Sequence, residues 1–192
     1  MKFKAFTLAE LLIALAILGV IATFTIPKIL QANQIAQKNA ITKEAIATVS
    51  NAYLVYKSQN SVTNSTGPTD LMQYINYVKA DTVSVIDHHP TATSVNCSSG
   101  TYTCFQLHNG GVLAYTNGNC FGGTDTTNMI YFIIDPDGEY SGSTAGSGKA
   151  LNFSLYVNGG IRTRAYVLPS STSCNTTINP NPALDPTWLN WN

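Results

Sequence analysis

Lys2-Phe3-Lys4-Ala5-Phe6-Thr7-Leu8-Ala9-Glu10, running on into LLIALAILGVIATFTIP as far as Pro27, is the stretch on which the reading of this chain turns. A basic tip and a small residue lead into an apolar run that carries one acid near its front. From Leu11 to Ile26 no side chain is charged. Phe6 to Ile26 makes about 31 Å of helix at 1.5 Å per residue, enough to cross a hydrocarbon core of about 30 Å. Glu10 sits about one helical turn beyond Phe6. A carboxylate at the edge of a membrane segment is costly and marks a functional position.

A secretory signal peptide also has a basic front and an apolar centre, but it ends in a small-residue cleavage site and holds no acid. No such site follows this run, and the pattern continues past Pro27. A plain anchor, with Lys2 and Lys4 keeping the N-terminus in the cytoplasm, accounts for the length and the charge asymmetry. It leaves Glu10 unexplained.

On these residues the chain resembles the type IV pilins and the related pseudopilins of type II secretion. That signature is a short basic leader, a small residue, Phe-Thr-Leu, a Glu at the fifth position after the cut, and about twenty apolar residues. Here it is carried by Lys2, Lys4, Ala5, Phe6, Thr7, Leu8 and Glu10, over roughly residues 1–35. Ala5 stands where the family usually has Gly, and it is the nearest substitute in size.

The resemblance implies a prepilin peptidase cut between Ala5 and Phe6 on the cytoplasmic side, with methylation of the new Phe6 amine. It also implies assembly, with copies of the chain or with other pilins, through the N-terminal helix. The Phe6 amine of one subunit would then answer the Glu10 carboxylate of its neighbour. An unpaired buried carboxylate is costly, so this pairing would fix the axial register. Pro27 cannot donate to the Thr23 carbonyl, and Gly19 costs about 1 kcal/mol of helix relative to Ala. Similar pilins lose helix near such residues when packed, which makes Gly19 and Pro27 the expected helix break; the rival reading is a simple kink in a continuous helix. The implied location is the bacterial inner membrane as a single-pass protein, then an extracellular pilus or a periplasmic pseudopilus.

Ten Lys and Arg balance ten Asp and Glu, and the bases are scattered along the 192 residues. That distribution argues against direct nucleic-acid binding. The expected domains are a leader at 1–5, a membrane and filament-core helix at 6–26, an amphipathic continuation at 27–57, and a globular α+β head at 58–192. Ala45, Ile46, Val49, Ala52, Tyr53 and Tyr56 recur at three- and four-residue steps, the stripe of a helix laid on a sheet. Leu71 to Val78 is expected as a short helix capped by Thr69 or Asp70.

Strands are expected at 101–108 and 111–116 about Asn109-Gly110, at 129–134, and at 151–157 and 161–167 about Asn158-Gly159-Gly160. Four or five antiparallel strands behind one long helix is the fold of the resembled family's head.

Cys97, Cys104, Cys120 and Cys174 all lie in the part outside the membrane. An even number in an oxidising compartment favours two disulfides, with three connectivities open. Their spacing fits no zinc motif.

Asp135-Pro136-Asp137-Gly138-Glu139 is the one concentrated acidic group. Some pseudopilins hold calcium near this point, which makes Asp135, Asp137 and Glu139 candidate ligands; the same residues also suit a plain type I turn. His88-His89 reads as loop. Trp188 and Trp191 near the end are expected to fold back over a sheet face, the rival being a contact patch. No nucleophile motif or acid–base pair is visible, so catalysis is not expected, and no cofactor is required. The expectation is therefore a filament subunit. The rival from another class is a monomeric membrane-anchored binding module or adhesin.

Overall fold

The apolar stripe of the first helix and the alternation of the later strands meet in one core. The computed structural model describes residues 7–81, 85–86, 95–98, 100–123, 128–136, 150–164 and 173–182. The chain divides into two compact units, Met1–Asn39 and Ala40–Asn192, and the boundary falls inside the first helix, α1 (Leu8–Gln59).

In the second unit, α1 buries Ile41, Thr42, Ala45, Val49, Ala52 and Tyr53. Those positions repeat at helical spacing, so one side of the helix meets the core while Lys43, Glu44, Asn51 and Leu54 stay outside. A short helix α2 (Pro68–Met72) follows. It begins earlier and ends sooner than the expected 71–78. Pro68 suits the first turn, where its missing N–H costs nothing. The Asp70 carboxylate accepts from the Gly67 N–H at 2.9 Å.

The strands are β1 (Lys79–Asp81), β2 (Val85–Ile86), β3 (Val95–Asn96), β4 (Tyr102–Gln106), β5 (Val112–Thr116), β6 (Met129–Asp135), β7 (Leu151–Tyr156) and β8 (Ile161–Arg164). Six of them form an antiparallel sheet in the order β1-β4-β5-β6-β7-β8, and β2 pairs with β3. The sheet therefore has six strands where four or five were expected. The extra one is β1, three residues long, polar at both ends and too short to show alternation. The fold is α+β, with the long helix packed against the antiparallel sheet.

Both hairpins turn where Asn-Gly predicts. Gly110 and Gly159 sit at φ +89° and +91°, a region that glycine enters without a Cβ penalty. The register puts Phe105 opposite Leu113, Leu113 opposite Ile134, Phe132 opposite Phe153 and Ile130 opposite Leu155. These join the α1 residues in the main core. Phe105, Tyr115, Phe132 and Phe153 form a chain of ring contacts across four strands, at 6.1, 6.2 and 5.4 Å between centroids. Each such contact adds about 0.5–1.5 kcal/mol beyond area burial.

The alternate residues of the same strands face the other way. Cys104, Val112, Ala114 and Ile133 build a second, smaller cluster with Val95, Cys97 and Ala150. Coverage on both faces explains why β6 reads as a nearly unbroken apolar run rather than a strict alternation.

Two disulfides resolve the open connectivity: Cys97–Cys104 and Cys120–Cys174. The first ties the residue after β3 onto β4 beside the small cluster. The second ties the 173–182 segment to the loop after β5. Three backbone stretches meet there. Phe121 N–H donates to Thr66, Gly122 N–H to Asn64, and Thr176 N–H to Gly122, at 3.0, 2.7 and 3.0 Å. A Cβ on Gly122 would lie 2.5 Å from the Asn64 Cβ and 2.7 Å from the Thr176 carbonyl, so only glycine fits.

Asn128, at φ +69°, closes the arrangement. Its N–H donates to Phe121, its carbonyl accepts from Val157, and its side-chain oxygen accepts from the Asn179 N–H. Asn tolerates this left-handed region better than most residues.

Candidate functional site: the capped, apolar N-terminal helix

In the first unit, α1 presents Leu8, Leu11, Leu12, Ile13, Leu15, Ile17, Leu18 and their successors to the outside, each more than half exposed. Its most apolar window has a mean hydropathy of 2.3, and none of that window is buried within the protein. Length and apolarity are sufficient to cross a membrane. The absence of burial separates this segment from the core helix of a soluble domain.

The helix starts in a capping box formed by Thr7 and Glu10. The Thr7 carbonyl accepts the first helical bond, from Leu11 N–H at 3.2 Å. Thr7 Oγ1 accepts from Glu10 N–H at 3.3 Å, and the Glu10 carboxylate reaches back to the Thr7 N–H at 2.8 Å. The Thr7 hydroxyl also donates to the same carboxylate oxygen, Oε2, at 2.9 Å. Reciprocal bonds of this kind satisfy donors that a helix N-terminus otherwise leaves orphaned.

The sequence reading counted Thr7 in the signature but gave a role of its own only to Glu10. The signal was present as Thr-x-x-Glu ahead of an apolar run.

Gly19 and Pro27 both lie within α1, which is helical through each. A Cβ on Gly19 would meet nothing within 4 Å, so no contact in the single chain demands glycine there. The Thr23 hydroxyl, on the residue whose carbonyl Pro27 cannot serve, donates to the Val20 carbonyl at 2.7 Å.

Ala5 and Phe6, the expected cleavage and methylation positions, lie outside the described residues. So do Asp137, Glu139, His88, His89, Trp188 and Trp191. Asp135 ends β6 opposite Val112 and is buried. Among the described residues, no group of three His, Cys, Asp or Glu side chains is placed to hold a metal ion.

Residues 1–26 match the prokaryotic N-terminal methylation motif. The chain thus carries the signature of type IV pilins and pseudopilins at its N-terminus. No curated protein and no solved structure matches the chain. The apolar helix and the motif together are consistent with anchoring in the inner membrane.

Proposed function

We propose that this chain is a structural subunit of a type IV pilus or pseudopilus. Prepilin peptidase cuts between Ala5 and Phe6 and the Phe6 amine is methylated. The subunit waits in the inner membrane with its N-terminus in the cytoplasm, then joins copies of itself or other pilins in a fibre. Residues 58–192 form the exterior. Removing Lys2 and Lys4 leaves eight basic side chains against ten acidic ones. The cut also creates a cationic amine close to Glu10.

The observation that carries this reading is that the most apolar window of α1 is nowhere buried within the protein, while the helix bears one carboxylate in its first turn. A lipid anchor needs only the apolar surface. An assembly of identical helices also needs a register, and an acid that must find a cation supplies one. Gly19 and Pro27 are the points at which the helix opens in the fibre. The reading assigns the chain no catalytic role, no cofactor and no nucleic-acid contact.

Mass measurement of the native N-terminus tests it. A chain beginning at methylated Phe6 supports the proposal, whereas an intact Met1 or a cut after residue 22 overturns it. Glu10→Ala then separates the subunit from a monomeric anchored adhesin. Loss of fibres is expected, while an adhesin would keep its surface display and binding.

A further inference from the structure

The chain contains three Asn-Gly pairs, Asn109-Gly110, Asn117-Gly118 and Asn158-Gly159. A glycine after asparagine leaves its backbone nitrogen unshielded by a Cβ, so that nitrogen can reach the side-chain amide carbon. The fold treats the three asparagines differently. We infer that Asn158 is a site of covalent self-modification, deamidation by way of the Gly159 nitrogen, and that Glu44 on α1 protects Asn109 from the same reaction.

The two hairpin turns are a matched pair. Gly110 N–H donates to the Leu107 carbonyl at 3.1 Å, and Gly159 N–H to the Tyr156 carbonyl at 2.8 Å. Asn109 Oδ1 accepts from Gly111 N–H at 3.1 Å, and Asn158 Oδ1 from Gly160 N–H at 2.9 Å. A donor at Oδ1 stabilises the negative charge that gathers there when the amide carbon is attacked. The turns part at the leaving group. Asn109 Nδ2 donates to the Glu44 carboxylate at 3.0 Å. Asn158 is exposed, and its Nδ2 makes no hydrogen bond among the described residues. A bond to a carboxylate is about twice as strong as a neutral one, and it must break before the nitrogen departs. Asn117 is held at both ends, accepting from the Thr103 hydroxyl and donating to the Gly100 carbonyl at 2.7 Å.

The Gly159 nitrogen bonds to Asn158 Cγ, the Cγ–Nδ2 bond breaks, and a succinimide ring remains. The proton that the Gly159 nitrogen gives up ends, by way of solvent, on the departing ammonia. Water then opens the ring at either carbonyl, leaving aspartate or isoaspartate. Water enters, ammonia leaves, and nothing is oxidised or reduced. Aspartate adds a negative charge to the hairpin. Isoaspartate adds a backbone carbon beside Val157, whose carbonyl accepts from the Tyr53 hydroxyl.

The full chain is incubated in detergent at mildly alkaline pH, and peptide mapping by mass follows each asparagine. Asn158 is expected to convert first. Asn109 and Asn117 should be slower by about ten-fold, the scale of one hydrogen bond that must break on the way. Glu44→Ala should raise the rate at Asn109 by about that factor and leave Asn158 and Asn117 unchanged. In the reduced chain in urea the three rates should converge. Asn109 or Asn117 converting as fast as Asn158 in the folded chain would overturn the inference, as would the same order persisting in urea. An Asn158 that stays intact while the urea sample converts would overturn it too. No rise at Asn109 in Glu44→Ala, or a rise shared by all three sites, would remove Glu44 from its protecting role.

Discussion

The Tyr53 hydroxyl, on α1, donates to the backbone carbonyl of Val157, in the turn that follows β7. One bond thus ties the helix to the hairpin at the far end of the chain. Tyr53 is fully buried, its ring packs 5.6 Å from that of Phe121, and a Cβ on Gly159 would lie 3.9 Å from its Cε1. Tyr53→Phe keeps the ring and removes the donor. It should destabilise the Ala40–Asn192 unit by about 1–2 kcal/mol, because a buried carbonyl loses its partner. Thermal melting should show a fall of about 3–6 °C.

The same residue predicts an alkaline limit. Burial, with the charge of Tyr56 as a smaller cause, pushes the Tyr53 phenol up to about 12. Its folded value lies above the unfolded one of about 10. Its contribution is therefore whole below pH about 10 and is lost as the pH climbs from there through about 12. Melting temperatures across that range should fall less steeply for Tyr53→Phe than for the parent, and parallel curves would refute the assignment.

Substitution of two glycines should act in opposite directions. Gly122→Ala drives a Cβ into backbone that cannot yield, and a loss of about 3 kcal/mol in urea titration is expected. Gly19→Ala meets open space and should gain about 1 kcal/mol of helix. If opening of the helix at Gly19 is needed in the fibre, the same variant should be processed normally, show more helix in detergent and assemble less. Unchanged fibre yield would remove Gly19 from the proposed break.

The two disulfides should differ in worth. Cys120–Cys174 closes a separation of 54 residues and Cys97–Cys104 one of 7. Chain-entropy arguments assign about 4 kcal/mol to the first and about 2.4 kcal/mol to the second. The Cys120→Ser, Cys174→Ser pair should therefore unfold at lower urea than the Cys97→Ser, Cys104→Ser pair. A reversed order would show that the small cluster around Cys97 matters more than loop closure.

Much of the architecture was legible because local signals agreed with one another. The stripe Ala45, Val49, Ala52 and Tyr53 specified a helix face, and Asn109-Gly110 and Asn158-Gly159 specified hairpins through the chemistry of their turns. β1 was not legible, because Lys79-Ala80-Asp81 owes its strand to pairing with β4 rather than to any pattern of its own. The Cys120–Cys174 link was equally hidden. It depends on Gly122 letting three distant backbone stretches touch, and no spacing in sequence records that approach. At the N-terminus Glu10 stood out by being charged among apolar neighbours. Thr7, one residue of the signature, showed its part as a helix cap only in the reciprocal bonds it makes with Glu10.

The outermost strands of the sheet, β1 and β8, are three and four residues long and carry Lys79, Asp81, Arg162 and Arg164. Brief, charged margins are poor templates for a foreign strand. Copies of this protein crowded side by side would therefore find little at these margins on which to fuse sheet to sheet.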